Sequence, residues 1–276
     1  MDIVLLGTGS PMPDANRAGP ATLLKAGDGG LEQVLVDTGR GCIMRMAAAG
    51  SLPGFLQGVL ITHLHSDHLT DFNDIVTTHW IMTQQPTPLR VWGPPGLQLY
   101  VDHMMRALAP DVGYRIAHHA DLTWEPVVEV TEVSPGDTFA VGAMQVTVHQ
   151  TMHAPVEPTI GFRVERDGKV VALAGDTIPC PGLDELTRGA DVYVQTVIRD
   201  DLVKLVPMAR LQDILDYHSS VEQAAQTAAK NGVKTLLMTH YVPAPQPEQY
   251  DEWIAIAAAH FDGEIVMGDD LTTVTV

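Results

Sequence analysis

The segment GVLITHLHSDHLTDF, residues 58–72, constrains the fold of this chain more than any other feature. Directly after an apolar run it places His63, His65, Asp67 and His68 within six positions, in a chain with only 12 histidines. If the strand stays extended, the first two histidines project to the same side and can bind one ion. Where the chain then turns into a helix, the adjacent aspartate and histidine can bind a second ion. The segment therefore predicts a strand that ends at a metal centre.

Three further candidate ligands, His153, Asp176 and His240, come at the ends of other apolar runs. Imidazole and carboxylate ligands without a thiolate cluster suit zinc, with manganese or iron also possible. Seven ligands are more than one tetrahedral ion uses, so we expect two ions. The first is expected on His63, His65 and His153, the second on Asp67, His68 and His240, with Asp176 as a bridge between them.

Two positions near these candidates can be interpreted in two ways. His149 lies on the same predicted strand as His153, but its place inside the apolar alternation favours His153 as the ligand. Asp37, at the end of QVLVD, is predicted either to orient a ligand histidine through a hydrogen bond or to form a plain turn.

Short apolar strands alternate with helical stretches along the chain, and turn residues such as Gly93–Pro94–Pro95–Gly96 separate them. This pattern indicates a mixed α/β fold with helices covering sheets, and we expect residues 1–276 to form one domain. The predicted strands are 2–7, 21–26, 33–39, 58–62, 127–133, 144–149, 158–166, 169–175, 191–196 and 234–240. The predicted helices are 41–49, 71–84, 95–109, 121–125, 221–230 and 250–260.

Composition limits the class of protein and its partners. The net charge is −18, so the average surface repels polyanions, and a nucleic acid would need a local basic patch or metal ions. Two cysteines are too few for a disulfide framework, and the first residues, MDIVLLGTGS, lack the pattern of a secretion signal. No apolar run approaches the roughly 18 residues that span a bilayer. These features predict a soluble cytoplasmic protein without a membrane partner.

Six motifs together resemble the metallo-β-lactamase superfamily, and within it the branch of ribonuclease Z and the related zinc arylsulfatases and phosphodiesterases. They are LLGTGSPMPD, VDTGRG, THLHSDH, VWGPPG, AGDT and DYHSSVEQAAQTAAKNGVKTLLMTH, and the resemblance extends from residue 2 to about residue 243. The resemblance implies a four-layer αββα sandwich with the metals at one edge between the sheets. It also implies a homodimer.

The resemblance gives a role to His218, which precedes a Ser-Ser pair and a predicted helix. The matching histidine of this branch faces the substrate as an acid or a phosphate contact and binds no metal. The local sequence agrees, because Ser219-x-x-Glu222 resembles a capping box and a helix N-terminus favours anions. The competing interpretation is an exposed residue ahead of the helix. Asp67 is expected to orient the attacking water or accept its proton, in addition to binding metal.

These parts predict a dinuclear zinc hydrolase that attacks a phosphodiester or related ester of a small molecule or nucleotide. Only 22 residues separate His153 from Asp176, whereas bacterial ribonuclease Z usually carries a long Gly/Pro-rich arm there that binds tRNA. Together with the net charge, this places a tRNA 3′-processing endoribonuclease second. Two less favoured functions are a zinc hydrolase of small neutral esters, lactones or β-lactams, and a metal-binding regulatory protein without turnover.

Overall fold

Two seven-stranded mixed sheets form the centre of the computed structural model, which describes residues 1–276. The strands in chain order are β1 (Asp2–Gly7), β2 (Ala21–Ala26), β3 (Glu32–Val36), β4 (Leu56–Leu60), β5 (Leu89–Gly93), β6 (Val128–Glu132), β7 (Thr138–Val141), β8 (Met144–Gln150), β9 (Ile160–Arg166), β10 (Lys169–Leu173), β11 (Val192–Ile198), β12 (Thr235–Val242), β13 (Glu264–Met267) and β14 (Thr273–Thr275). The first sheet has the order β14-β1-β2-β3-β4-β5-β6 and the second has the order β13-β12-β11-β10-β9-β8-β7.

Helices cover the outer face of each sheet. The helices in chain order are α1 (Cys42–Ala48), α2 (Phe72–Met82), α3 (Leu97–His118), α4 (Pro181–Thr187), α5 (Asp200–Val203), α6 (Ala209–Gln212), α7 (Val221–Asn231) and α8 (Tyr250–Ala258), and all but the short α5 and α6 contribute to the cores on these faces. One apolar cluster fills the space between the sheets, a second joins the first sheet to α1, α2 and α3, and a third joins the second sheet to α4, α7 and α8. Three cores between four layers confirm the predicted αββα sandwich.

Burial along the strands explains why the apolar runs predicted them well. All seven residues of β11, VYVQTVI, are buried, because parallel neighbours flank this strand and both of its faces are covered. In contrast, β8, with the sequence MQVTVHQ, buries alternate residues, as a strand with one covered face does. Most predicted elements therefore lie within a few residues of the observed ones.

The differences from the predicted elements have physical causes. The predicted helix 95–109 continues as α3 to His118 and passes through Pro110, a residue that normally ends a helix. No helix forms at 121–125, where Leu122 and Trp124 instead pack beside Trp80. The strands β5, β7, β13 and β14 and the helices α4, α5 and α6 were not predicted, and all are seven residues or shorter. Among them, β7, β13 and β14 are edge strands whose residues are mostly exposed or half-buried, so they lack the apolar run that marks a central strand.

The topology brings several strand ends to one edge of the sandwich. The strands β3 and β4 are parallel neighbours in the first sheet, and β10, β11 and β12 are parallel neighbours in the second. Carboxyl ends of parallel strands meet at one edge, and a hydrogen bond from the Ile160 amide to the Thr62 carbonyl joins the two sheets there. No helix in the structure has the length and apolarity that crossing a membrane requires.

Candidate metal centre

The histidine motif follows β4 as an extended segment and a short 3₁₀ turn. The strand β4 ends at Leu60, two residues earlier than predicted, but His65 keeps an extended backbone with φ −64° and ψ 144°. The Nε2 atom of His63 consequently lies 3.1 Å from Nδ1 of His65. Asp67 and His68 lie in the turn Ser66–His68, and both are buried. The bend after the strand therefore turns this pair towards the same centre.

The other three candidate ligands come from the second sheet. His153 lies three residues beyond β8, and Asp176 lies three residues beyond β10. His240 lies within β12 and not at its end, which corrects the prediction. Its φ of 52° is unusual for a residue other than glycine, and the pairing of β11 with β12 shifts register at this point. Such an irregularity re-aims a side chain.

The ligand atoms form two close groups, each with its atoms within 4.8 Å of one another. They are the two groups that spacing predicted, with Asp176 joined to the first. The Oδ2 atom of Asp176 lies between the groups, 3.5–3.8 Å from four Nε2 atoms. These atoms belong to His63, His68, His153 and His240. One carboxylate oxygen is therefore close to both groups.

Hydrogen bonds to Nδ1 orient three of the imidazoles. The Nδ1 atom of His68 lies 2.8 Å from Asp37 Oδ2, and that of His153 lies 2.8 Å from the Tyr217 carbonyl oxygen. The Nδ1 atom of His63 lies 3.0 Å from the Thr62 hydroxyl. A histidine that donates from Nδ1 presents the lone pair of Nε2, which is how a metal-binding histidine is usually held.

Asp37 orients ligand candidates in both groups, which decides between its two predicted roles. It contacts His68 directly, and it accepts hydrogen bonds from the Thr62 amide and hydroxyl, each at 2.8 Å. Through Thr62 it also supports His63. Asp37 adopts a left-handed φ of 59°, so its backbone conformation is as specific as its contacts.

The lowered pKa values of two histidines and of Asp176 fit the binding of cations, whereas neighbouring carboxylates raise the pKa values of His68 and His240. Burial lowers the pKa of His153 to about 4 and that of His63 well below its usual value, so both are neutral at pH 7. Burial alone would raise the pKa of Asp176, but His240 and His68 outweigh it and hold that pKa well below its usual range. His68 Nε2 and Asp176 Oδ1 are buried without hydrogen-bond partners. Buried polar atoms rarely lack partners, so these His and Asp residues are positioned to bind metal ions.

Replacement of Asp37 by asparagine is expected to weaken metal binding by about 10–100-fold, because the partner that fixes His68 loses its charge. Competition with a chelator measures this affinity. Asp191→Asn is the matched control, since Asp191 is also buried and hydrogen-bonded, to the Val170 amide and Lys234, but lies outside the cluster. Equal metal affinities in the two variants would contradict the orienting role of Asp37.

His218 lies inside the cluster. Its Nε2 atom is 3.3 Å from Asp176 Oδ2, and its ring packs against the rings of His153 and His240 with centroids 4.8 and 5.8 Å away. It is buried, which excludes an exposed position ahead of the helix. With Asp176 and His240 it also forms a third close group of potential ligands.

The capping box ahead of α7 is displaced by one residue from its predicted position. Ser220 caps the helix and pairs with Gln223, so the predicted pair Ser219 and Glu222 is wrong. The Ser219 hydroxyl instead donates to the Thr177 carbonyl oxygen at 2.8 Å. His218 consequently precedes the capping residue by two positions and is held beside Asp176.

Two other histidines lie outside the centre. The Nδ1 atom of His149 is 3.9 Å from Glu185 in α4, so the strand carries His149 away from the ligand groups and His153 into them. The ring nitrogens of His79 lie 2.9 Å from the Pro53 carbonyl oxygen and 3.2 Å from that of Thr87. His79 therefore joins segments of the fold and does not line the centre.

Three residues at or beside the centre were not identified from the sequence. Thr62 links Asp37 to His63, and the Tyr217 carbonyl oxygen accepts a hydrogen bond from His153. Arg40 comes three residues after Asp37 in the chain. The only signal was adjacency, because Thr62 and Tyr217 directly precede a predicted site residue. Adjacency alone does not identify which neighbours contact a ligand.

Comparison with known proteins places this geometry in a family. A family model described as a beta-lactamase superfamily domain matches residues 32–241. A protein named Ribonuclease Z from Mycolicibacterium gilvum (strain PYR-GCK) is 52% identical over 278 residues, covering 100% of this chain and 96% of the relative. Another with this name, from Mycobacterium tuberculosis (strain H37Rv), is 50% identical and is covered to 98%.

Solved structures show the same fold. The metallo-β-lactamase fold protein YhfI from Bacillus subtilis has a TM-score of 0.76 at 19% identity, covering 99% of this chain and 97% of that one. The short form of human tRNase Z has a TM-score of 0.69 at 22% identity, covering 100% and 99%. The family model, the full-length relatives and the cluster lead to one conclusion. This chain is a metal-dependent hydrolase and belongs to the ribonuclease Z branch of the metallo-β-lactamase superfamily.

Proposed function

We propose that this chain is an endoribonuclease of the ribonuclease Z type that removes the 3′ trailer of precursor tRNA. The observation that carries the proposal is identity of 50–52% along the whole chain with relatives named Ribonuclease Z. Sequence motifs and net charge favoured a general phosphodiesterase over this activity, and the full-length identity supports the opposite order. The dinuclear zinc centre, the homodimer, the single domain and the cytoplasmic location stay predictions.

The short interval between His153 and Asp176 does not argue against this activity. The alignment of 278 residues already covers 96–98% of the two relatives, so neither has room for a long additional arm. In this chain a hairpin of β9 and β10 occupies the interval. A ribonuclease Z without the arm is therefore consistent with the length of these relatives.

The two ligand groups fit a pair of divalent ions, which when bound would supply Lewis acidity and lower the pKa of water. His63, His65 and His153 would hold one ion, Asp67, His68 and His240 the other, and Asp176 both. Asp67 Oδ2 lies 3.3 Å from His240 Nε2, within the second ligand group, and from there it would orient the attacking water and accept its proton. His218, whose Nε2 atom lies beside Asp176, would donate a proton to the leaving oxygen.

A chain with a net charge of −18 needs a local cation to bind RNA, and Arg40 is the candidate that we propose. Ten of the 16 lysines and arginines form ion pairs, and Arg40 is not among them. Its side chain is exposed. A Cβ atom on Gly19 would lie 2.6 Å from the Arg40 amide and 3.2 Å from the Asp67 carbonyl oxygen, so the main chain of Arg40 lies close to that of Asp67.

Arg40→Ala is expected to raise the Km for RNA about tenfold, because a charged hydrogen bond to phosphate is lost. The logarithmic salt dependence of Km should fall by about 0.7–0.9, the value of one phosphate contact. Arg106→Ala is the matched control, since Arg106 is also exposed and outside any ion pair but lies on α3. If both variants change Km equally, Arg40 has no local role at the centre.

The direct test is incubation of the metal-loaded protein with a precursor tRNA that carries a 3′ trailer, followed by mapping of both products. Cleavage after the discriminator nucleotide supports the proposal, and removal of metal by a chelator should stop it reversibly. A parallel panel of phosphodiester, sulfate ester, carboxyl ester and lactone substrates tests the competing hydrolase activities. Turnover of one of these without cleavage of the precursor would contradict the proposed function.

A further inference from the structure

Tyr217 is an aromatic residue at the border of the ligand cluster. Its ring centroid lies 5.0 Å from that of His153 at an interplanar angle of 87°, and 4.8 Å from that of His218 at 46°. None of the other aromatic contacts joins a Phe, Tyr or Trp ring to a cluster histidine. Tyr217 is thus next to a proposed metal ligand and to the proposed proton donor.

The ring is only half-buried, unlike the large aromatic side chains of the core. Trp253, Tyr193, Tyr241, Phe72 and Phe162 are fully buried, whereas Tyr217 keeps part of its surface in solvent. Its hydroxyl has no hydrogen-bond partner within the protein, while Tyr193 and Tyr241 each donate to a buried oxygen. Tyr217 therefore combines contact with two cluster histidines with a side chain that is partly open to solvent.

Main-chain hydrogen bonds anchor Tyr217 independently of its side chain. The Tyr217 carbonyl accepts the hydrogen bond from His153 Nδ1 at 2.8 Å, and the amides of Tyr217 and His218 both donate to the Ile214 carbonyl oxygen. A residue anchored through its main chain can change its side chain without releasing His153. The fold therefore separates the support of His153 from the exposed ring.

We propose that Tyr217 is a stacking platform for a nucleobase beside the scissile phosphate. The inference rests on the proposed function, because a precursor tRNA bound for cleavage places unpaired bases next to the phosphate held at the cluster. Aromatic side chains bind unpaired bases by stacking, which requires no positive charge. Stacking suits a chain with a net charge of −18, in which Arg40 is the one unpaired cation identified beside the centre.

The test compares Tyr217→Leu and Tyr217→Trp with the wild type on two RNAs. One is a short precursor with a 3′ trailer, and the other is the same RNA with abasic nucleotides on both sides of the scissile phosphate. Km, kcat and metal content are measured for each protein. Tyr114→Leu is the matched control, because Tyr114 is 74% exposed on α3 and lies outside the cluster.

On the unmodified RNA we expect Tyr217→Leu to raise Km by about five- to a hundredfold, the range for loss of one stacked base, with tryptophan restoring most of the affinity. On the abasic RNA the wild type and the leucine variant should be nearly equal. The stacking role would be overturned by equal losses on both RNAs, by an unchanged Km, or by loss of metal in the leucine variant. In each of these cases, cleavage by the wild type would still support the proposed function. Absence of wild-type cleavage would contradict both.

Discussion

Asp176→Ala is expected to lose at least one of two metal ions per chain and nearly all turnover. The Oδ2 atom of Asp176 lies 3.3–3.8 Å from the Nε2 atoms of five histidines, so its removal takes the shared negative charge from both ligand groups. The loss of activity should exceed the roughly 10–100-fold typical of residues that only support a ligand. Elemental analysis should give nearly two equivalents of zinc, manganese or iron for the wild type and fewer for the variant.

His149→Ala is the control for this substitution, because His149 lies outside the ligand groups and should leave the metal content unchanged. His153→Ala should release metal. The opposite result, with metal lost from His149→Ala and retained in His153→Ala, would reverse the assignment of the two histidines. A wild-type content of one equivalent that added metal does not change would contradict a dinuclear centre.

The sequence predicted the candidate ligands because two independent signals coincided at each one. His63, His153 and Asp176 are residues with ligand chemistry, and each follows an apolar run that folds as a strand of the sandwich. Parallel strands then carry such residues to one edge whatever the details of the loops. The αββα arrangement could also be expected, since it came from motifs spread over most of the chain.

The contacts that orient the ligands could not be predicted, because they depend on three-dimensional geometry and not on residue type. The partner of His153 is the carbonyl oxygen of Tyr217, a group that every residue carries. His240 reaches the centre through a register shift within β12, which no local pattern marks. Likewise, both Ser219 and Ser220 can cap a helix, and tertiary contact with Thr177 decides between them.

Net charge is a weak guide to whether a protein binds RNA, for a related reason. It averages over the whole surface, whereas binding of RNA depends on the few groups that surround the centre. Arg40 is exposed and outside any ion pair beside the Asp67 carbonyl, while most other cations are neutralised by neighbouring carboxylates. A single exposed cation next to the ligand groups can therefore favour an anionic substrate although the average surface is acidic.

His218→Ala is expected to keep its metal ions and its fold but to lose turnover on RNA by about a hundredfold or more, the usual contribution of a general acid. Ser220 and Gln223, which cap α7, are unchanged, so the melting temperature should stay close to that of the wild type. The defect should appear mainly in kcat, because the proton is needed in the transition state. Loss of metal from this variant would instead make His218 a ligand within its close group with Asp176 and His240.

A comparison of two leaving groups distinguishes between the possible roles of His218 in the reaction. Nitrophenolate departs without a proton, whereas the ribose oxygen released from RNA requires one. A general acid at Nε2, 3.3 Å from Asp176 Oδ2, should therefore matter much less for bis(nitrophenyl) phosphate than for RNA. Equal losses on both substrates would remove the acid role and leave His218 as a contact to the phosphate oxygens. Full activity on both would remove His218 from the mechanism, since its burial beside Asp176 would then serve only the packing of the centre.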